Sequence, residues 1–218
     1  NKYKIKVFNC PGINQSSVAE HVLSLILSFE KNIHNQYLTV QKGSWKRLVG
    51  REVRGKTLGI IGLGSIGKEL FTLAKNFGFN VVANDVLISK NTSKKYSKKL
   101  VSKDKLLKIS DYITIHTPLT YQTKNLISMK EFKIIKNDAL LINTARGKIV
   151  NKNDLITALT ENHIRGYLCD VLDKEPVESS EELLKFKNVI ITPHVASRTY
   201  ENIQKQGISS LNNLIENL

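Results

Sequence analysis

Three glycines at fixed spacing, Gly62-x-Gly64-x-x-Gly67, form the stretch whose residue types most plainly point to chemistry. An apolar, β-rich run at residues 58–61 leads into them, and a helical stripe of Ile66, Leu70, Leu73, Ala74 and Phe77 follows. Strand, turn and helix are therefore expected in that order. The three glycines answer three separate needs, namely a turn with positive φ, a backbone that a pyrophosphate can approach, and a helix lying tight on its strand. The helix N-terminus, opening at Ser65 and Ile66, offers free N–H groups and a positive dipole end to phosphate. The next apolar run, residues 80–83, ends in Asn84-Asp85, where a carboxylate can accept hydrogen bonds from adenosine ribose hydroxyls. That carboxylate would repel a 2′-phosphate, and Val86-Leu87-Ile88 supplies no cation, so NAD is expected rather than NADP.

Short apolar runs recur at residues 112–115, 139–142, 167–171 and 189–191, separated by helical or loop stretches that include a short helix at 103–109. Strands that alternate with helices and are apolar on both faces predict an α/β fold of the Rossmann type, a doubly wound parallel sheet. Ligands of such sheets bind beyond the carboxyl ends of the strands. Polar residues collect there: His116-Thr117-Pro118 after the third run, Asn143-Thr144-Ala145-Arg146-Gly147 after the fourth, Asp170 at the end of the fifth and Pro193-His194 after the sixth.

With 218 residues and 41% hydrophobic content, the chain can bury a core without disulfide or metal staples. No apolar run approaches transmembrane length, and the N-terminal residues lack a secretion signal, so no membrane partner is expected. Only Cys10 and Cys169 occur, which gives no disulfide framework and no metal-ligand spacing and fits a cytoplasmic setting. The formal charge of +14 is concentrated in lysines at residues 90–108. Tyr96 is the only aromatic among them, so the stretch reads as a solvated face that attracts anions, with no nucleic acid partner.

Residues 2–8 alternate like a short strand and stop at a turn, Asn9-Cys10-Pro11-Gly12. Ser17-x-x-Glu20 reads as a capping box ahead of a helix carrying Val18, Val22, Leu23, Leu25, Ile26, Leu27 and Phe29. So wide an apolar surface belongs either to deep core or to a subunit interface. Residues 31–54 read as a polar arm with Trp45 as its largest aromatic. His21, His34, His116 and His163 show no carboxylate or metal pattern in sequence and read as structural, with His116 close to the cofactor edge.

Taken together, NCPGIN, SSVAEH, GIIGLGSIGKEL, HTPLTYQTKNLI, LINTARGKIV, DVLDKEP and TPHVAS resemble the D-isomer-specific 2-hydroxyacid dehydrogenases, the family that includes D-3-phosphoglycerate dehydrogenase. The resemblance implies that Arg146 binds the substrate carboxylate, that His194 is the acid/base group and that Glu175 is its partner. It implies NAD contacts from Gly62, Gly64, Ser65, Ile66, Gly67, Asp85, Thr117, Pro118, Thr144, Ala145, Arg146, Asp170, His194, Ala196 and Ser197, with Asp170 at the nicotinamide end. These residue types suit the chemistry. A histidine titrating near neutrality can supply a proton to a carbonyl oxygen, a neighbouring carboxylate stabilises its imidazolium, and a guanidinium pairs bidentately with a carboxylate. Each has a plainer alternative: Arg146 as a surface cation, Glu175 as a solvated carboxylate in DKEPVESSEE, His194 as a loop residue.

Family members carry a substrate domain ahead of the NCPG-type motif, and this chain has almost none of it. Residues 1–8 are then its remnant. Residues 9–195 form the NAD-binding domain with a dimerisation helix and arm at 16–54, and residues 196–218 form a helix returning to the substrate domain, its Ile203, Ile208, Leu211, Leu214 and Ile215 partly exposed. The resemblance implies a homodimer. Ala196-Ser197 stands where glycines are common in the family. The expected activity is hydride transfer between nicotinamide and a small anionic 2-hydroxy or 2-oxo acid, 3-phosphoglycerate among the candidates, with poor turnover by this chain alone. The competing expectation is a catalytically silent, NAD-sensing interaction module whose output is its dimer state.

Overall fold

The computed structural model describes residues 6–86 and 94–217. Residues 2–5 of the expected first strand, residues 87–93 of the lysine-rich connection and Leu218 lie outside that description. Residues 6–8 are irregular rather than extended in a strand. The helices are α1 (Gln15–Glu30), α2 (Ile33–Gln41), α3 (Ser65–Asn76), α4 (Lys94–Ser97), α5 (Lys103–Ile109), α6 (Met129–Phe132), α7 (Lys152–Thr160) and α8 (Tyr200–Asn217). The strands are β1 (Thr57–Ile61), β2 (Asn80–Asn84), β3 (Tyr112–Ile115), β4 (Leu140–Asn143), β5 (Gly166–Cys169) and β6 (Val189–Ile191).

All pairings are parallel and the order is β2-β1-β3-β4-β5-β6, the doubly wound sheet that the apolar runs predict. A single parallel bridge from Ala83 to Leu100 prolongs the sheet beyond β2. Chain direction across the sheet reverses between β1 and β3, which opens a crevice above the carboxyl ends of those strands. The central strands β1, β3, β4 and β5 are buried on both faces because two apolar layers cover them. Leu58 and Ile60 of β1 join Val22 and Ile26 of α1 and Leu70, Phe71 and Ala74 of α3 on one side. Ile113 and Ile115 of β3 join Leu141, Phe132 and Leu155 on the other.

Several local expectations are corrected by this packing. α1 begins at Gln15 with Asn14 as its N-cap, two residues before the proposed capping box, and Ser17 Oγ lies 3.3 Å from Thr199 Oγ1 at the start of α8. The wide apolar surface of α1 is buried in this chain's own core, against α3 and the sheet. In α3, Phe71 fills the core, whereas Phe77 caps the helix and is 48% exposed. The polar arm contains a nine-residue helix, α2, none of whose residues is buried. The fifth strand ends at Cys169, so Val171 is buried outside it. α8 leaves Ile203, Ile208, Leu211, Leu214 and Ile215 about half exposed, as the resemblance implies.

Away from the crevice, Glu30 at the end of α1 is buried and accepts hydrogen bonds from Tyr112 Oη at 2.7 Å and from Arg165, whose Nη1 lies 3.1 Å away. Arg165 also pairs with Asp138, and its guanidinium stacks 5.3 Å from the Phe29 ring. This network ties α1 to the two strands beneath it. Burial raises the Tyr112 phenol, as do the Glu30 hydrogen bond and charge, well above its ordinary value, so it remains a donor throughout.

Candidate functional site

The glycine turn works as its spacing predicts. Gly62 has φ +97°, a conformation L side chains rarely adopt, and a Cβ there would meet the His116 carbonyl carbon at 2.8 Å. A Cβ on Gly67 would collide with the Gly62 carbonyl oxygen, which is why α3 can lie so close to β1. At Gly64 the same test finds open space. Gly64 is the N-cap of α3, makes no side-chain cap, and the first turn carries no acidic residue, so the helix N-terminus faces the crevice unopposed. Ser65, exposed, and Ile66, half-buried, open that first turn.

Asp85 follows β2 and its Oδ2 accepts the Leu63 amide at 2.7 Å, which fixes the carboxylate against the turn. Beside it, the ends of β3 and β4 supply an independent sign of a ligand. Thr117 Oγ1 and Thr144 Oγ1 are two of the four buried side-chain polar atoms without a hydrogen-bond partner among the described residues. Buried hydroxyls are normally satisfied, so two such orphans flanking one crevice fit a bound polar molecule. Exposed Pro118 and half-buried Ala145 line the same edge. Asn143 organises the loop between them: its Nδ2 donates to the Arg146 carbonyl at 2.9 Å and its Oδ1 accepts the Ala145 amide at 3.0 Å.

Glu175 and His194 meet although 19 residues separate them, with Glu175 Oε2 2.7 Å from His194 Nδ1. Glu175 Oε1 accepts the Leu172 amide at 2.9 Å, so both carboxylate oxygens are fixed. Burial would raise the Glu175 carboxyl, but the His194 and Leu172 hydrogen bonds and the charges of His194 and Arg146 outweigh it and hold it below its ordinary value. The charge of Arg146, exposed at the head of a 3-10 turn over Gly147–Ile149, reaches the Glu175 carboxylate. His194 itself has φ +54°, the left-handed region, which is uncommon for a side chain other than glycine and clusters at functional sites.

Asp170 is 1% exposed and accepts from Thr192 Oγ1 at 2.5 Å, the Val195 amide at 2.9 Å and the Ala196 amide at 2.7 Å. It therefore pins the turn carrying His194. Ala196 is buried beneath that turn, and the half-buried Ser197 offers its carbonyl to the Asn202 side chain.

Two histidines have a carboxylate close by where the sequence showed no such pattern. His21 Nε2 is 3.0 Å from Thr192 Oγ1 and 3.7 Å from Asp170 Oδ1, and His163 Nε2 is 3.1 Å from Glu161 Oε2. Only His21 touches the site, and its sequence signal was limited to its place in SSVAEH. His116 bonds Thr114 Oγ1 at 2.9 Å, and burial pushes its imidazole down to about 4, so it is neutral at physiological pH.

Residues 23–196 match the model of the D-isomer specific 2-hydroxyacid dehydrogenase, NAD binding domain. The chain belongs to this family. It is 40% identical to D-3-phosphoglycerate dehydrogenase of Archaeoglobus fulgidus over 199 residues, covering 90% of this chain and 38% of that protein. It is 37% identical to glyoxylate reductase of Thermococcus litoralis over 219 residues, covering 96% of this chain and 65% of that protein. Among solved structures, D-lactate dehydrogenase with NAD+ from Lactobacillus jensenii superposes with a TM-score of 0.82 at 29% identity, covering 98% of this chain and 69% of that one. The chain thus spans less than two thirds of the curated relatives it matches. As a D-isomer specific 2-hydroxyacid dehydrogenase domain it has the fold for NAD, and the open helix N-terminus at Gly64 with the orphaned Thr117 and Thr144 hydroxyls fits that cofactor. Gly62, Gly64, Gly67 and Asp85 are the residues that would hold its adenosine and pyrophosphate.

Proposed function

We propose that this chain is the cofactor-holding part of an NAD-dependent oxidoreductase that moves hydride between nicotinamide and C2 of a small anionic D-2-hydroxy or 2-oxo acid, a class that includes 3-phosphoglycerate and glyoxylate. The observation that carries this reading is the 2.7 Å contact between His194 Nδ1 and Glu175 Oε2 at the strand edge that also bears the glycine turn. With Nδ1 committed to Glu175, Nε2 is the nitrogen that holds and delivers a proton to the substrate carbonyl oxygen. Glu175 fixes the ring's orientation and stabilises the imidazolium. Arg146 offers a planar pair of N–H donors to the substrate carboxylate, which orients C2 and polarises its carbonyl. When bound, nicotinamide supplies or takes the hydride. Thr117, Thr144 and Asp170 fall to the cofactor's side of the crevice, with Asp170 toward the nicotinamide end.

In this reading residues 9–195 are the cofactor domain and α8, with its half-exposed apolar positions, returns to a substrate-holding part of the protein. The chain works as a homodimer through α2 and the stretch after it. That choice is supported by Ile33, Tyr37, Val40, Trp45 and Val49, all more than half exposed. The free thiols of Cys10 and Cys169 suit a reducing cytoplasm.

Calorimetric titration with NADH, followed by a panel of 2-oxo acids with loss of reduced-nicotinamide absorbance as the readout, tests the assignment. Heat on NADH addition with slow, carboxylate-dependent turnover is the expected result. No heat at millimolar NADH overturns it. Binding without turnover, even in a form carrying the substrate-holding part, combined with NAD-dependent dimerisation, would make the chain a sensor. Light scattering that reported a single chain at micromolar concentration would reject the dimer.

A further inference from the structure

We infer that His21, on α1, is a positioning residue that holds the turn bearing His194, acting through Thr192 and Asp170. The inference rests on the reading of His194 as proton donor and adds to it a residue remote in sequence from the crevice motifs.

Proton counting sets the direction of this relay. Asp170 Oδ1 is a carboxylate oxygen and only accepts, so the hydroxyl proton of Thr192, 2.5 Å away, points to it. A hydroxyl has one proton to give. The contact between Thr192 Oγ1 and His21 Nε2 at 3.0 Å must then be a donation from Nε2–H, which fixes the His21 tautomer. Burial lowers the His21 imidazole, with the Asp170 charge opposing, so the ring favours the neutral form in which one nitrogen alone donates.

The relay ends on both sides of His194. Asp170 accepts the amides of Val195 and Ala196, the two residues after it, while the His194 amide donates to the Thr192 carbonyl at 3.0 Å. A left-handed φ of +54° persists only where its surroundings hold it, and these three bonds are that hold. The Thr192 hydroxyl has an alternative acceptor, the Cys169 carbonyl at 3.4 Å. Donation from His21 occupies an Oγ1 lone pair and keeps the hydroxyl proton on Asp170. Without it the rotor is released, the Asp170 carboxylate loses its shortest donor, and the His194 ring is no longer aimed at Glu175.

The test compares His21→Gln, which retains a donor near the Nε2 position, with His21→Leu, which fills the space without one, and with Thr192→Val. The ¹⁵N shifts of the His194 imidazole, read through its carbon-bound ring protons, report which ring nitrogen carries the proton. The parent chain and His21→Gln are expected to share one tautomer pattern with Nδ1 protonated toward Glu175. His21→Leu and Thr192→Val are expected to lose that preference, their two nitrogen shifts converging. A folded His21→Leu with unchanged His194 shifts overturns the inference, as does a His21→Gln variant as altered as His21→Leu. Should His21→Leu fail to fold, Thr192→Val decides in the same way. NADH affinity, followed by fluorescence, tests the underlying reading of the crevice separately.

Discussion

Glu175 is bound at both ends of its carboxylate, to His194 Nδ1 at 2.7 Å through Oε2 and to the Leu172 amide at 2.9 Å through Oε1. An imidazole held this way can turn neither its ring nor its tautomer without breaking a charge-assisted bond. Because Glu175 is held below its ordinary pKa, it remains a carboxylate throughout the neutral and mildly acidic range. Glu175→Gln preserves shape but not charge. In a catalytically competent form of the enzyme it should lower kcat on the order of 10²-fold. NADH affinity should be unchanged, and steady-state kinetics with a parallel calorimetric titration check both.

The glycine turn offers a paired test. Gly67→Ala drives a methyl into the Gly62 carbonyl and should cost about 1–3 kcal/mol of stability by overpacking. Gly64→Ala meets nothing within 4 Å and should cost no more than about 1 kcal/mol, as an N-cap change. If the open space at Gly64 is where pyrophosphate lies, Gly64→Ala nevertheless loses NADH binding while the protein stays folded. Urea melts and NADH titrations of the two variants separate the cases.

Acid should weaken the fold before the carboxylates titrate. His116 is near 4 when folded, against about 6.5 for an unfolded histidine. Its folded pKa is depressed, so its contribution is present above the unfolded value and is lost as pH falls from about 6.5 toward 4. The loss is on the order of 3 kcal/mol, and His21, also lowered by burial, adds to it with the same sign. Urea unfolding at pH 7 and in mild acid should show this decline, and His116→Asn should flatten it.

The buried pair of Glu30 and Arg165 should resist single substitution. Glu30 is 1% exposed in its side chain, and removing Arg165 strands its charge, for an expected loss of about 3–5 kcal/mol in Arg165→Met. Replacing Glu30 by Leu in the same chain removes the stranded charge and should recover part of that loss. Thermal melts of the single and double variants give the comparison, and a single variant as stable as the parent would contradict it.

Local pattern was enough to determine strand, glycine turn and helix from Thr57 to Asn76, the position of Asp85, and an all-parallel sheet with polar groups at one edge. These follow from short-range causes: side-chain period, the stereochemistry of glycine, and apolar residues on both faces of short strands. The same local logic misjudged Phe77, which is half exposed, passed over Phe71, which fills the core, and placed the start of α1 at Ser17 although that hydroxyl turns to Thr199. Arg146, Glu175 and His194 were legible as residue types within motifs, and the pairing of the last two was legible only through the family resemblance, because 19 positions separate them along the chain. Only the tertiary structure decided that His21 reaches Thr192, 171 positions away, and that Glu30 meets Arg165, 135 positions away. Partners of buried polar groups are chosen by which elements the sheet order brings side by side, and no periodicity along the chain records that choice.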